Sequence, residues 1–291
     1  MYRGVIHLCS TLALALAALV FIFVEFKSAE VQLKVVFLNV GQGDAIYIET
    51  PSKKQILIDG GKDEYVMREL GAVMPWFDRS LDVLVATHPD ADHVGGLAEV
   101  VKRLAIGDVF YMSGSHDTPY VDAFEDALRE KNITTRNAFL GDVISFGDGV
   151  YLHALHPRQG SQYQDTNDSS LVFRIVYRDI SFLLTGDASS DIEHDLVKMY
   201  SSELKSTFLK AGHHGSDTSS SELFLGFVRP QEVIFSRGCD NDYGHPHDAV
   251  VARVKEIGAR TYDTCTSHRV SVLTDGVGYT ITTEVDSERS E

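Results

Sequence analysis

Thr87-His88-Pro89-Asp90-Ala91-Asp92-His93-Val94-Gly95-Gly96 follows directly on residues 81–86, an apolar run of strand length. Four ligand-type side chains, His88, Asp90, Asp92 and His93, fall within six positions of this stretch. A loop at a strand end can turn such side chains onto one point, whereas a straight strand or helix would divide them between faces. Imidazole nitrogen and carboxylate oxygen together suit Zn²⁺, Mn²⁺ or Fe, and Gly95-Gly96 lets the backbone turn closely around them. The competing reading is a solvated loop in which Asp92 caps a helix. It suits one His and one Asp better than H-x-D-x-D-H-x-G-G behind a buried strand.

Three further strand ends carry the same kinds of residue. Leu183-Leu184-Thr185-Gly186-Asp187 places Asp187 where it can bridge two metals or cap the helix expected from Ser190; beside the first cluster, bridging is the favoured role. Leu209-Lys210-Ala211-Gly212-His213-His214-Gly215-Ser216 ends on adjacent histidines, which after a strand point to different sides. One of them, His213, is the expected ligand, and His214 is expected to face substrate. In Asn241-Asp242-Tyr243-Gly244-His245-Pro246-His247 the proline fixes a turn, and His245 and His247 can both border a site. A surface turn is the alternative there. His156 reads as a turn residue ahead of Pro157.

Around these loops the chain alternates short β-branched runs with helical stretches. Strands are expected at residues 31–38, 45–49, 55–58, 81–86, 150–155, 171–177, 180–185, 207–211, 233–236, 270–274 and 279–282. Helices are expected at 94–104, 121–130, 190–204 and 249–257. Strand pairs, then strand–helix alternation, then a repeat of both, imply an α/β fold of two mixed sheets with helices outside, a four-layer αββα sandwich. Residues 219–221 read as a short polar patch and 286–291 as a polar tail. One catalytic domain, residues 30–285, is expected behind residues 1–29.

Those first residues predict an N-terminal hydrophobic helix. Residues 12–24 contain no polar side chain, and counting back to Val5 gives about 20 residues, enough to cross a bilayer. No convincing cleavage site follows, so an uncleaved transmembrane anchor is favoured over a cleaved signal peptide. Either places the domain outside the cytoplasm. With a net charge of −16, the 291-residue chain has no broad basic surface for duplex DNA; bound metals could still neutralise a phosphodiester locally. Cys239 and Cys265 can pair in an oxidising compartment, but two separate buried thiols are the favoured reading.

The set of motifs resembles the metallo-β-lactamase superfamily. His88, Asp90, Asp92 and His93 look like its metal-binding motif, with Asp90 at the second His position; Asp187 resembles its bridging Asp and His213 its final His ligand. Asn39-Val40-Gly41-Gln42-Gly43-Asp44, Ile58-Asp59-Gly60-Gly61, Asn167-Asp168-Ser169-Ser170-Leu171-Val172, the Gly-His-His-Gly-Ser run and Tyr243-Gly244-His245-Pro246-His247 resemble one branch. That branch is the extracytoplasmic metallohydrolase domain of ComEC-type DNA-uptake proteins. The usual further His before the bridging Asp is missing here; 165–170 reads Asp-Thr-Asn-Asp-Ser-Ser. The first metal site is therefore weaker, or is completed by His245 or His247.

The resemblance implies a metallo-β-lactamase fold, one or two divalent ions (Zn or Mn) and hydrolysis of a phosphodiester or nucleic-acid substrate. The residues alone imply metal-assisted hydrolysis. Asp92 is expected both as ligand and at the reacting centre, and His214, His245 and His247 as proton donors to the leaving oxygen. Asn167, Ser169, Ser216 and Tyr243 are expected to meet substrate, and Asp44 and Asp59 to orient ligands from behind. A lactam, lactone or thioester hydrolase, and a non-catalytic surface module, are the other readings.

Overall fold

The computed structural model describes residues 32–111 and 118–285, with Leu14 and Leu16. The expected hydrophobic segment, but for those two leucines, and the polar tail lie outside the described residues. Numbered along the chain, the first sheet contains β1 (Leu33–Phe37), β2 (Ile46–Glu49), β3 (Gln55–Ile58), β4 (Ser80–Val85), β5 (Ala105–Phe110) and β6 (Thr135–Arg136). The second contains β7 (Val143–Ser145), β8 (Val150–His156), β9 (Val172–Tyr177), β10 (Ile180–Leu184), β11 (Phe208–Lys210), β12 (Glu232–Phe235) and β13 (Arg260–Asp263). The chain then returns to the first sheet as β14 (Val270–Thr274) and β15 (Tyr279–Thr283), giving the order β15-β14-β1-β2-β3-β4-β5-β6 beside β13-β12-β11-β10-β9-β8-β7.

Alternation along the strands builds four layers. Val35, Phe37, Ile46, Ile48, Ile56 and Val83 face Leu152, Phe173, Ile175, Phe182 and Phe208 across the inter-sheet core. Their neighbours Val36, Tyr47, Leu57 and Leu84 point the other way, beneath helices of the first half. Both faces are thus apolar, which is why these strands read as continuous hydrophobic runs. The first-half helices are α1 (Tyr65–Val73), α2 (Ala91–Val94), α3 (Leu97–Arg103) and α4 (Pro119–Glu130). Helices α5 (Ser190–Tyr200), α6 (Glu222–Val228) and α7 (Asp248–Glu256) cover the second sheet through Ile192, Leu196, Phe224, Leu225, Val250 and Val254; α8 (Thr264–Ser267) is a single turn.

Several local expectations change. The helix expected over 94–104 is two helices divided at Gly95-Gly96. The glycines are required there: a Cβ on Gly96 would stand 2.2 Å from the Gly60 carbonyl oxygen. The serines of 219–221 are not a solvated patch. Ser219 and Ser220 are buried, and the Ser221 hydroxyl caps α6 by accepting from the Phe224 amide. His156 is no turn residue but the buried last residue of β8, its Nδ1 donating to the Ser170 carbonyl at 2.9 Å. Cys239 and Cys265 are not separate buried thiols: they form a disulfide across 26 residues, with Cys239 exposed. The spacing gave no sign of it because strand β13 lies between them and brings Cys265 back beside the loop after β12.

Candidate metal centre

Strand polarity gathers the motifs. Strands β1, β3 and β4 end on the loops that carry Asp44, Asp59 and His88–His93, and the parallel strands β10, β11 and β12 end on Asp187, His213-His214 and Ser236. These carboxyl ends meet along one edge of the two sheets, where open α/β sheets place their ligands. Asp59, His213 and His214 have left-handed backbones, with φ of 61°, 46° and 54°. For non-glycine residues this costs about 1–3 kcal/mol each and persists where surrounding structure enforces it, commonly at functional sites. Gly43, at φ 122°, packs so closely that a Cβ would stand 2.0 Å from the Asp92 carbonyl oxygen.

Asp187 Oδ2 is the centre of the arrangement. His214 Nε2 lies 3.1 Å from it, His93 Nε2 3.2 Å, His213 Nε2 3.9 Å and His88 Nε2 4.0 Å. Asp92 Oδ2 is 3.3 Å from His214 Nε2, and Asp90 Oδ2 is 3.8 Å from His88 Nε2. Asp44, His93, Asp187 and His214 are all buried and offer ligand atoms within 4.8 Å of one another. The Nε2 atoms of His88, His93 and His214 are buried without an aligned hydrogen-bond partner. Ring nitrogens crowded around a carboxylate oxygen, with no well-aligned hydrogen bond of their own, are what a divalent cation would satisfy in place of protons. The donor set fits such an ion.

The opposite ring nitrogens are all engaged. His93 Nδ1 meets Asp59 Oδ2 at 2.8 Å, His88 Nδ1 meets Thr87 Oγ1 at 3.0 Å, and His214 Nδ1 donates to the Ser236 carbonyl at 2.9 Å. Asp59 is itself fixed by the Thr87 amide and hydroxyl at 2.8 and 2.7 Å. Such contacts orient imidazole ligands, and Asp59 makes its contact with His93 from the side away from Asp187. Asp44 is closer to the centre than expected, within the four-residue group itself.

Lys210 escaped the sequence reading. It is buried, and its Nζ lies 2.5 Å from Asp44 Oδ2, 3.3 Å from Asp187 Oδ1 and 2.9 Å from the Gly186 carbonyl oxygen. A lysine closing an otherwise apolar strand was the available signal. Burial would raise the Asp44 carboxyl, but the Lys210 ammonium and His214 outweigh it and hold it at about 2. Burial also opposes ionisation of Asp187, which His214, His93 and Lys210 nevertheless keep well below the usual carboxylate range. In the metal-free protein burial lowers His93 and His214 while Asp187 more than offsets it, holding both imidazoles well above their ordinary value. Burial and the neighbouring His93 push His88 down to about 3.

The two histidines of the Gly-His-His-Gly run are placed the other way round from the expectation. His214 is buried at the centre, while His213 lies on the rim with 28% of its side chain exposed. Each takes its side from the left-handed turn, which sequence spacing does not reveal. His245 is buried above them, 5.5 Å from the His213 ring and 6.3 Å from His214, with Nδ1 unpartnered and Tyr243 stacked against it at 5.5 Å. His247 is tied into the loop, Nδ1 accepting from the Asp217 amide at 2.9 Å and Nε2 donating to the Tyr243 carbonyl at 3.2 Å. Ser216 is buried and its hydroxyl accepts from Thr218, whereas Tyr243 is 65% exposed. Asn167 and Ser169 lie on the single turn Asn167–Ser169. From there Ser170 Oγ receives the Asp187 amide at 3.1 Å. An open recess of about 610 Å³ lined by Asp90, Gln164, Asp165 and Thr166 adjoins the centre.

Residues 38–237 match the metallo-β-lactamase superfamily, and the chain belongs to it. Among individual proteins it is similar to ComE operon protein 3 of Bacillus subtilis, 29% identical over 244 residues, covering 78% of this chain and 31% of that protein. It is also similar to competence protein ComA of Neisseria gonorrhoeae, 31% identical over 245 residues, 82% of this chain and 32% of that one. The chain thus spans about a third of the length of these relatives. The fold is shared with the metallo hydrolase Igni18 of Ignicoccus hospitalis, with a TM-score of 0.52 at 15% identity, covering 82% of this chain and 98% of the other.

Proposed function

We propose that this chain is a metal-dependent phosphodiesterase acting outside the cytoplasm, held at the membrane by its N-terminal apolar segment. The observation that carries the hydrolytic reading is the ring of unpartnered Nε2 atoms around Asp187 Oδ2. His88 and Asp90 would hold a cation on one side, Asp92, His93 and His214 on the other, with Asp187 between. A bound divalent cation supplies Lewis acidity there and makes water a stronger nucleophile at neutral pH. Asp59, Thr87 and the Ser236 carbonyl keep the imidazoles aimed. His213 and His245 border the open side; burial pushes the His245 imidazole down to about 4, so near neutral pH it would serve as a base or a hydrogen-bond donor.

Phosphodiester chemistry is supported by the carboxylate-rich donor set, which favours harder ions such as Mn²⁺ beside Zn²⁺, and by relatives named for competence. A disulfide beside the site suits an oxidising compartment. With a net charge of −16, short or single-stranded nucleic acid is the preferred substrate over long duplex. The test is turnover of bis(p-nitrophenyl) phosphate by the full chain with Mn²⁺ or Zn²⁺, beside a lactam and a thioester. Diester cleavage that chelation abolishes is expected. Opening of the lactam or thioester alone would overturn the phosphodiesterase reading.

A further inference from the structure

At the end of the first sheet opposite the metal centre, Pro75-Trp76-Phe77-Asp78 forms a tight turn closed by the Asp78 amide on the Pro75 carbonyl at 2.9 Å. Trp76 is 85% and Phe77 71% exposed, and their rings meet edge to face at 5.7 Å. A lone exposed aromatic is ordinary on a protein surface, but two adjoining ones at a loop tip call for a partner. The location indicates which. Lys34 Nζ donates to the Val73 carbonyl at 3.1 Å, so the start of β1 lies against the end of α1, just ahead of this turn. Residue 32 is only eight positions beyond the apolar run 12–24. A chain of that length reaches at most about 30 Å, and it enters the domain at the end that carries the turn.

Charge is compatible with the same partner. Around the turn are Lys34, Lys53, Lys54, Arg79, Lys102 and Arg103, reached through the Lys54–Asp82 pair and the Ala105 amide on the Arg79 carbonyl. Carboxylates pair most of them, Lys53 with Glu49, Lys54 with Asp82, Lys102 with Glu99 and Arg103 with Glu99 and Glu64, so this end is close to neutral in a chain whose overall charge is −16. Tryptophan favours the interfacial layer of a bilayer, where its ring is apolar and its N–H stays hydrated, and flanking cations meet anionic headgroups. We infer that the Trp76–Phe77 turn seats in the interface of a lipid bilayer, beside the membrane-held N-terminus, leaving the metal centre facing away. The six residues of β4 then set the Thr87–His93 loop about 20 Å further out.

This inference rests on the membrane attachment proposed above and not on the hydrolytic chemistry. Trp76 is the chain's one tryptophan, so its fluorescence reports on this turn alone. The full chain, reconstituted into phosphatidylcholine–phosphatidylglycerol vesicles, should float with them. Trp76 emission should shift to shorter wavelength, be quenched by lipid brominated high on the acyl chain, and lose accessibility to iodide. If the chain does not float, membrane attachment and this inference both fall. If it floats with Trp76 still open to iodide, this inference alone fails. Shielding from both iodide and brominated lipid would mean that protein covers the turn, and would also overturn it.

Discussion

Lys210 Nζ and Asp44 Oδ2 lie 2.5 Å apart at a place where neither side chain meets solvent. The ammonium also contacts Asp187 Oδ1, so one oxygen of the central carboxylate is engaged by protein and the other is left to the histidines. Removing one member of a buried pair strands the other charge, at about 3–5 kcal/mol. Lys210→Met should therefore destabilise the metal-free chain by about that amount, and Asp44→Asn with Lys210→Met should recover much of it. A denaturation cycle across the four proteins measures the coupling, and additive losses would remove Lys210 from the centre.

Metal content should follow geometry and not sequence order. His214→Ala and His93→Ala should each lose most bound metal from the full chain, while His213→Ala retains it; elemental analysis of the folded proteins decides. Because Asp187 holds His93 and His214 protonated in the metal-free state, metal binding must release protons. Affinity should rise with pH, and calorimetry in buffers of differing ionisation enthalpy should show proton release. Metal retained by His214→Ala and lost by His213→Ala would restore the sequence expectation.

The His-Pro-His loop divides into a facing residue and a brace. His245→Ala should lower turnover by roughly 10²–10⁴-fold, the range for losing an acid–base group, with bound metal unchanged. His247, with both nitrogens on backbone groups, should act through the loop, so that His247→Ala raises KM more than it lowers kcat. Steady-state kinetics on a diester separates the two.

Glu193 gives a pH signature remote from the metal. It is buried, accepts the Ser221 amide at 2.8 Å, and burial pushes its carboxyl up to about 7 from 4.5. A folded-state value above the unfolded one contributes stability fully present below about 4.5 and lost as pH rises towards 7. The stability of the wild type relative to Glu193→Gln should fall across that window. Parallel pH profiles of denaturation midpoint in the two proteins would contradict this.

The Cys239–Cys265 bridge closes a ring that contains the whole His-Pro-His loop and α7. By loop-closure entropy it contributes about 3–4 kcal/mol. Reduction should lower the melting temperature and weaken substrate binding while leaving metal bound, and Cys239→Ser should behave as the reduced protein.

Much of this was legible because ligand motifs at strand ends are local patterns. His88, Asp90, Asp92, His93 and Asp187 all surround one point, and the αββα order followed from strand and helix alternation. The misses share a cause. Whether His213 or His214 faces inward depends on two left-handed residues, and Lys210 becomes part of the centre only once β11 lies beside β10. The helix Tyr65–Val73 has no side-chain cap to announce it, and β5 is interrupted by Gly107 and Asp108 and is mostly exposed or half-buried. These are tertiary facts that no short window of sequence contains.

His88 and His93 come from one sheet and Asp187 and His214 from the other, so the centre straddles the seam between halves that touch chiefly through apolar side chains. Sliding one sheet past the other by a single residue, about 3.3 Å, is a displacement as large as the whole 3.2 Å separation of His93 from Asp187. The site is therefore a gauge of alignment for the whole molecule. Core substitutions far from it, at Phe173 or Ile56 for example, should blunt metal affinity while the protein is still fully folded.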